Sequence, residues 1–148
     1  MPLFRLLLLL FSLAPSAVLA LPANKPTSGY ARVAVETSVG TMVIAVDLKR
    51  APRTSANFLT YVDDGRFDGV TFYRAARRKS NPKLGLIQGG IDTDLRRSLP
   101  PIRHEPTSQT GLSHTNGALS MARYDPGTAT GDFSIMIKDQ TGLDADPT

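Results

Sequence analysis

Two polar side chains sit within apolar runs where a rigid support could let them act on a ligand. Arg74 closes the run Val70-Thr71-Phe72-Tyr73-Arg74, and Gln88 lies in Leu86-Ile87-Gln88-Gly89-Gly90. The first run has the β-branched and aromatic content of a strand. The second is a short apolar run halted by a glycine pair, which can turn sharply or admit a neighbouring backbone. If the two runs pair, the guanidinium and the amide reach one shallow surface. A planar cation with five fixed donors beside an amide can grip a peptide bond with no covalent step. Plainer readings stand alongside: a surface salt-bridge arginine, and a glutamine that merely caps a strand end.

Other chemistries find less support. The chain has no cysteine, so disulfides and thiolate metal sites are excluded. His104 and His114 are its two histidines, and they lack the spacing of a zinc pair. Ser/His/Asp chemistry is remote, because no Gly-x-Ser-x-Gly elbow is present. Arg77, Arg78, Lys79 and Lys83 form a basic stretch without interleaved aromatic residues. It reads as a solvated face rather than a nucleic-acid platform, with docking of anionic partners as a weaker alternative.

At 148 residues the chain suits one domain, and 41% hydrophobic with 20% charged residues is a globular composition. Residues 1–20 read as a secretory signal peptide: Arg5, an apolar stretch Leu6 to Leu13, and Val18-Leu19-Ala20 as the cleavage signal. The apolar stretch is shorter than the ~20 residues of a membrane span, so stable membrane insertion is not expected. Removing the peptide takes Arg5 away and lowers the formal charge from +4 to +3. Export without cysteine implies a periplasmic or secreted protein. Residues 21–29 read as a flexible leader and 30–148 as the domain.

The elements that must position Arg74 and Gln88 follow in order. Tyr30 to Glu36 and Thr41 to Leu48 alternate with period two about Gly40 and predict a hairpin with one buried face, carrying Met42, Ile44, Val46 and Leu48. Pro52 opens a helix whose stripe is Ser55, Phe58, Leu59 and Val62, and Gly65 stops it. Ala75 to Gly85 reads as a loop, and Ile91 to Thr115 as mostly loop. Gly117 to Arg123 and Phe133 to Ile137 read as strands. Many short strands, one clear helix and no βαβ alternation make the chain mainly β, an antiparallel barrel or sandwich with helical caps.

Phe72-Tyr73-Arg74, Ile87-Gln88-Gly89-Gly90, Leu119-Ser120-Met121-Ala122-Arg123 and Thr130-Gly131-Asp132-Phe133, in that order, resemble the cyclophilin-type peptidyl-prolyl cis-trans isomerases. The resemblance runs from about Val33 to the last residue. It implies an eight-stranded antiparallel β-barrel capped by two helices, an outward-facing site and no cofactor. It makes Arg74 the catalytic arginine and Gln88 its supporting glutamine. Tyr73 and Leu86 fall at the site, Ala122 and Arg123 on the strand receiving the substrate backbone, and Leu143 on the pocket rim. Leu86, Met121 and Phe133 are expected to hold the prolyl ring. The family's second glutamine falls on Asp132, and a pocket-floor phenylalanine falls on Ser134. Family members continue through two further strands and a second helix. A barrel incomplete at its C-terminus, in a piece of a longer protein, is therefore expected. The implied function is rotation of X-Pro bonds in exported proteins by a monomer that binds proline-containing segments. The alternative is a non-catalytic proline-peptide-binding chaperone module, favoured by Ser134.

Overall fold

A computed structural model describes residues 29–92 and 94–145. The signal peptide and nearly all of the leader lie outside the described residues. Strands β1 (Tyr30–Thr37) and β2 (Gly40–Asp47) form an antiparallel hairpin. Its alternation delivers Ala31, Val33, Ile44 and Val46 to the core. Leu48 lies just beyond β2 and is exposed, so the predicted buried face ends at Val46.

Helix α1 (Pro52–Asp63) begins on proline, where an absent N–H costs nothing. Its N-terminus has no local side-chain cap; the Glu105 carboxylate instead accepts the N–H groups of Arg53 (3.1 Å) and Thr54 (2.7 Å). That places an anion on the positive end of the helix dipole. Gly65, at φ +65°, ends the turn and donates to the Val62 carbonyl. The helix buries Ser55, Asn57, Phe58 and Tyr61, while Leu59 and Val62 pack half-buried against the core. Asn57 and Tyr61, outside the predicted stripe, are inside because their polar ends are paired. Asn57 donates to the Thr130 carbonyl (2.7 Å), and the Tyr61 hydroxyl accepts the Leu99 N–H (2.7 Å).

The second sheet has the order β3-β4-β6-β5, all antiparallel: β3 (Thr71–Arg78), β4 (Asn81–Gly90), β5 (Leu119–Met121) and β6 (Asp132–Ile137). The predicted loop from Ala75 to Gly85 is therefore corrected. β3 and β4 stay paired to Arg78 and Asn81, and the basic residues ride on an exposed ribbon. Pro82 is tolerated because β6 pairing begins only at Gly85, so its missing N–H breaks no ladder there. Residues 91–115 are mostly loop as predicted, with α2 (Thr107–Thr110) as a single short turn.

The two sheets share a core centred on Val46, Phe58 and Phe133. Phe133 meets Phe58 (5.7 Å), Phe67 (5.5 Å) and Phe72 (6.0 Å) edge-on. Each such pair contributes roughly 0.5–1.5 kcal/mol beyond simple burial. Among the described residues the sheets do not close: β1 and β2 pair only with each other, and β3 and β5 are edges. The result is an open antiparallel barrel with α1 packed against it.

Candidate functional site

Pairing fixes which side chains share a face. Directly opposed residues lie on the same side of a sheet, and side chains alternate along each strand. Gln88 opposes Arg74 on β3 and Ser134 on β6, and Ser134 opposes Ser120 on β5. One polar row, Arg74–Gln88–Ser134–Ser120, thus crosses all four strands on the face turned away from the core. Beside it run Ala76, Leu86 and Met136, again directly opposed.

A β-bulge builds the centre of this face. Phe72 pairs with Gly89 and Arg74 with Gln88, leaving Tyr73 as an extra residue. Simple alternation would aim Tyr73 away from Arg74; the bulge lets both reach Gln88. Arg74 Nη1 donates to Gln88 Oε1 (3.0 Å), and Gln88 Nε2 donates to the Tyr73 hydroxyl (2.9 Å). The Tyr73 hydroxyl in turn donates to Asp132 Oδ1 (3.0 Å), which also accepts the Asp92 N–H (2.8 Å). Each bond fixes the next, so the guanidinium is held from behind. Arg74 itself is exposed and has no carboxylate within salt-bridge distance among the described residues.

Burial, and next the Asp132 carboxylate, push the Tyr73 phenol up from 10.0 to about 12. Its neutral form is the one that donates to Asp132. The contribution to stability is present below pH 10 and is lost as pH rises through about 12. In an ultraviolet titration, the difference between wild type and Tyr73→Phe should show one tyrosine ionising near pH 12. A Tyr73 transition near 10 would mean that the hydroxyl is not held as described.

The structure brings Arg74, Gln88, Tyr73 and Asp132 together by direct bonds. Leu86 lies on the same face, while Ala122 donates its N–H to the Asp132 carbonyl (2.8 Å). Arg123 and Leu143 are exposed and border the same groove. Two predicted ring-holding residues are corrected. Met121 opposes Phe133, Phe133 opposes Gly89, and both side chains lie on the core face, opposite Gln88. Their alternation neighbours Ser134 and Met136, both buried, lie instead on the face that carries Gln88 and Leu86. Counting two residues on from Ser134 would have found Met136.

The row continues into a cluster that sequence reasoning set aside. His114 Nε2 lies 3.1 Å from Ser120 Oγ and its Nδ1 lies 2.6 Å from Asp144 Oδ1, while Asp144 also accepts the His114 N–H (2.9 Å) and the Ser113 hydroxyl. The spacing is that of a Ser/His/Asp array. However, Ser120 is directly paired with Ser134, between backbone bonds from Met136 to Ala118 and from Ala122 to Asp132. Alternation then commits the Ser120 N–H to the ladder, so it cannot serve as an oxyanion donor. The cluster is a tie that holds the 3-10 turn Thr141–Leu143, and with it Leu143, against β5.

Hydrogen bonds from the Ser113 hydroxyl, the His114 N–H and the His114 ring hold the Asp144 carboxyl below its ordinary 3.8. The stability it adds is fully present above that value and is lost as pH falls through the depressed one. Acid unfolding of Asp144→Asn should accordingly begin from a lower plateau with a shallower slope below pH 4 than wild type. Superimposable acid limbs would remove the carboxylate from this role.

Among the described residues no group of three His, Cys, Asp or Glu could hold a metal ion. No described helix is long and apolar enough to cross a membrane.

The family model "Cyclophilin type peptidyl-prolyl cis-trans isomerase/CLD" matches residues 32–148. This chain belongs to that family. It is 36% identical over 115 residues to peptidyl-prolyl cis-trans isomerase cyp18 of Streptomyces antibioticus, covering 75% of this chain and 64% of that protein. It is 32% identical over 133 residues to peptidyl-prolyl cis-trans isomerase A of Dickeya dadantii, covering 86% and 66%. The chain thus spans about two thirds of the length of these curated relatives. In fold it is similar to a cyclophilin-type isomerase of Cryptosporidium parvum, with TM-score 0.63, 20% identity and coverage of 78% and 72% of the two chains. A cyclophilin of Hirschia baltica gives TM-score 0.62 at 18% identity, covering 76% and 59%.

Proposed function

We propose that this chain is a peptidyl-prolyl cis-trans isomerase that turns X-Pro bonds in unfolded segments of exported proteins, acting as a monomer without a cofactor. The observation that carries the reading is the chain of bonds Arg74–Gln88–Tyr73–Asp132, which holds a guanidinium toward an open groove with most of its donors unspent. Family membership supports it. The export context rests on the signal-peptide pattern of residues 1–20, and it implies the periplasm or the extracellular space.

An X-Pro bond rotates slowly because amide resonance maintains a barrier of ~18–20 kcal/mol. Rotation makes and breaks no covalent bond, so catalysis requires only that the twisted amide be held better than either planar form. Twisting returns a lone pair to the proline nitrogen. An Arg74 N–H meets it there, while Gln88 and the Ala122 strand hold the flanking backbone. Each ~1.4 kcal/mol of selective stabilisation is worth a tenfold rate. Leu86, Met136 and the rim residue Leu143 offer the ring an apolar seat.

A second reading has its own observation. Ser134 is buried beside Gln88 where a phenyl ring would deepen the seat, which favours a module that binds proline segments without turning them. A protease-coupled assay with an Ala-Pro-Phe peptide separates the two. Isomerisation above background supports the enzyme, and binding without turnover supports the module.

A further inference from the structure

His114 grips the chain on both sides of the pocket rim. Its carbonyl accepts the Gln140 N–H (2.7 Å), just before the turn Thr141–Leu143. Its own N–H (2.9 Å) and its Nδ1 (2.6 Å) meet Asp144 Oδ1, just after that turn. Its Nε2 lies 3.1 Å from Ser120 Oγ, on the polar row that carries Arg74 and Gln88. A carboxylate only accepts, so Nδ1 carries the proton, and Nε2 of the neutral ring takes the Ser120 hydroxyl. The imidazole is shielded, with its side chain 13% exposed, whereas Leu143 between the two grips is exposed. Among the described residues, Thr141, Gly142 and Leu143 make no hydrogen bond beyond the turn and its two flanks, Gln140 and Asp144. The place of Leu143 is therefore set by those flanks. Gln140 is buried, and its amide donates to the Gly85 carbonyl on β4. Asp144 has no tie to the sheet except through His114 and the Ser113 hydroxyl beside it.

We infer that His114 is a positioning residue for the prolyl seat: its ring ties Asp144 to Ser120, fixes Leu143 at the rim, and so sets how tightly the site holds a proline segment. This rests on the isomerase reading for the use of the seat, and on the printed bonds for the tie. Leu143 would touch the pyrrolidine ring, whose shape changes little as the amide twists. Its contact is then equally strong in the planar and twisted forms, and such uniform binding moves KM rather than kcat. Without the imidazole, Asp144 keeps the Ser113 hydroxyl and the His114 N–H, so the turn stays attached. What goes is the link from the rim to the row on β5.

The test is a double-mutant cycle on the full chain: wild type, His114→Ala, Leu143→Ala and the pair together. For an Ala-Pro-Phe peptide, kcat, KM and the calorimetric dissociation constant are measured for each, with folding checked by circular dichroism. His114→Ala should raise KM and Kd about three- to tenfold, part of what a hydrophobic pocket loses with a whole methylene, and leave kcat within about twofold. The double variant should bind no worse than Leu143→Ala, because the histidine acts through that leucine. If His114→Ala does not fold, His114→Asn takes its place in the cycle; its amide can still donate to Asp144 but cannot reach Ser120, so a smaller loss of the same sign is expected. Unchanged KM and Kd, a fall in kcat alone, or losses that add in the double variant overturn the inference. If wild type binds the peptide without turning it over, the isomerase reading fails separately, and the Kd cycle alone decides the role of His114. Absence of any peptide binding overturns both.

Discussion

Arg74→Ala is expected to lower kcat/KM on an Ala-Pro-Phe peptide by about 10²–10³-fold, the loss typical of removing one preorganised donor from a transition state and equal to about 3–4 kcal/mol. Thermal stability should move little, because Arg74 is exposed and its one side-chain bond among the described residues goes to Gln88. The Gln88 oxygen it abandons can turn to water. Arg74→Lys is the sharper variant. It keeps the charge but not the planar fork, and a single ammonium cannot both bond Gln88 Oε1 and aim a second N–H at the proline nitrogen. Most of the loss should persist in Arg74→Lys. A near-wild-type rate in Arg74→Ala would sink the mechanism. Full recovery by lysine would reduce it to a charge effect.

The sequence disclosed that pair because each residue stands on a strand whose apolar content is strong. The hairpin of β1 and β2 was legible for the same reason: alternation is a local signal. What was not legible depends on partners distant in the chain. Asn57 and Tyr61 look too polar for a buried helix face, and only Thr130 and Leu99 make their burial tolerable. Cations and Pro82 depress strand propensity through residues 75–85, yet the exposed two-stranded ribbon of residues 78–83, past the point where β6 pairing stops, accepts them. Phe133 and Ser134 are both expected at the pocket from the sequence, although alternation puts neighbours on opposite faces; the aromatic cluster around Phe133 shows that Phe133 is the one inside. The bulge at Tyr73 belongs to two strands at once, so no single run encodes it. Likewise His114 and Asp144 meet across thirty residues of chain.

A glycine pair at the end of β4 can turn sharply or admit a neighbouring backbone, and Gly131, across the sheet from it, yields the largest expected change in stability. A Cβ on Gly131 would stand 2.4 Å from Tyr61 Cε1 and 2.7 Å from Cζ. Tyr61 cannot retreat: it is fully buried, stacked on Phe67 at 5.2 Å, and its hydroxyl holds the Leu99 N–H. Gly131→Ala should therefore destabilise by about 3 kcal/mol, the upper part of the usual overpacking range, which lowers the melting midpoint by roughly 10 °C for a domain of this size. Adding Tyr61→Leu opens the contested space. The double variant should thus be more stable than the sum of the two single losses, by at least ~0.5 kcal/mol. Strict additivity would mean that ring and methyl never meet. Gly90→Ala differs in kind. Its Cβ would lie 2.3 Å from the Gly131 carbonyl oxygen and 2.7 Å from the Asp132 Cα, at a φ of +129° that side chains rarely adopt. Relief there must push β6 away and take Asp132 with it, the carboxylate on which the Tyr73–Gln88–Arg74 bonds terminate. Gly90→Ala should accordingly lose activity in assays well below its own melting midpoint, whereas Gly131→Ala, acting through the core, should keep kcat/KM near wild type wherever it remains folded.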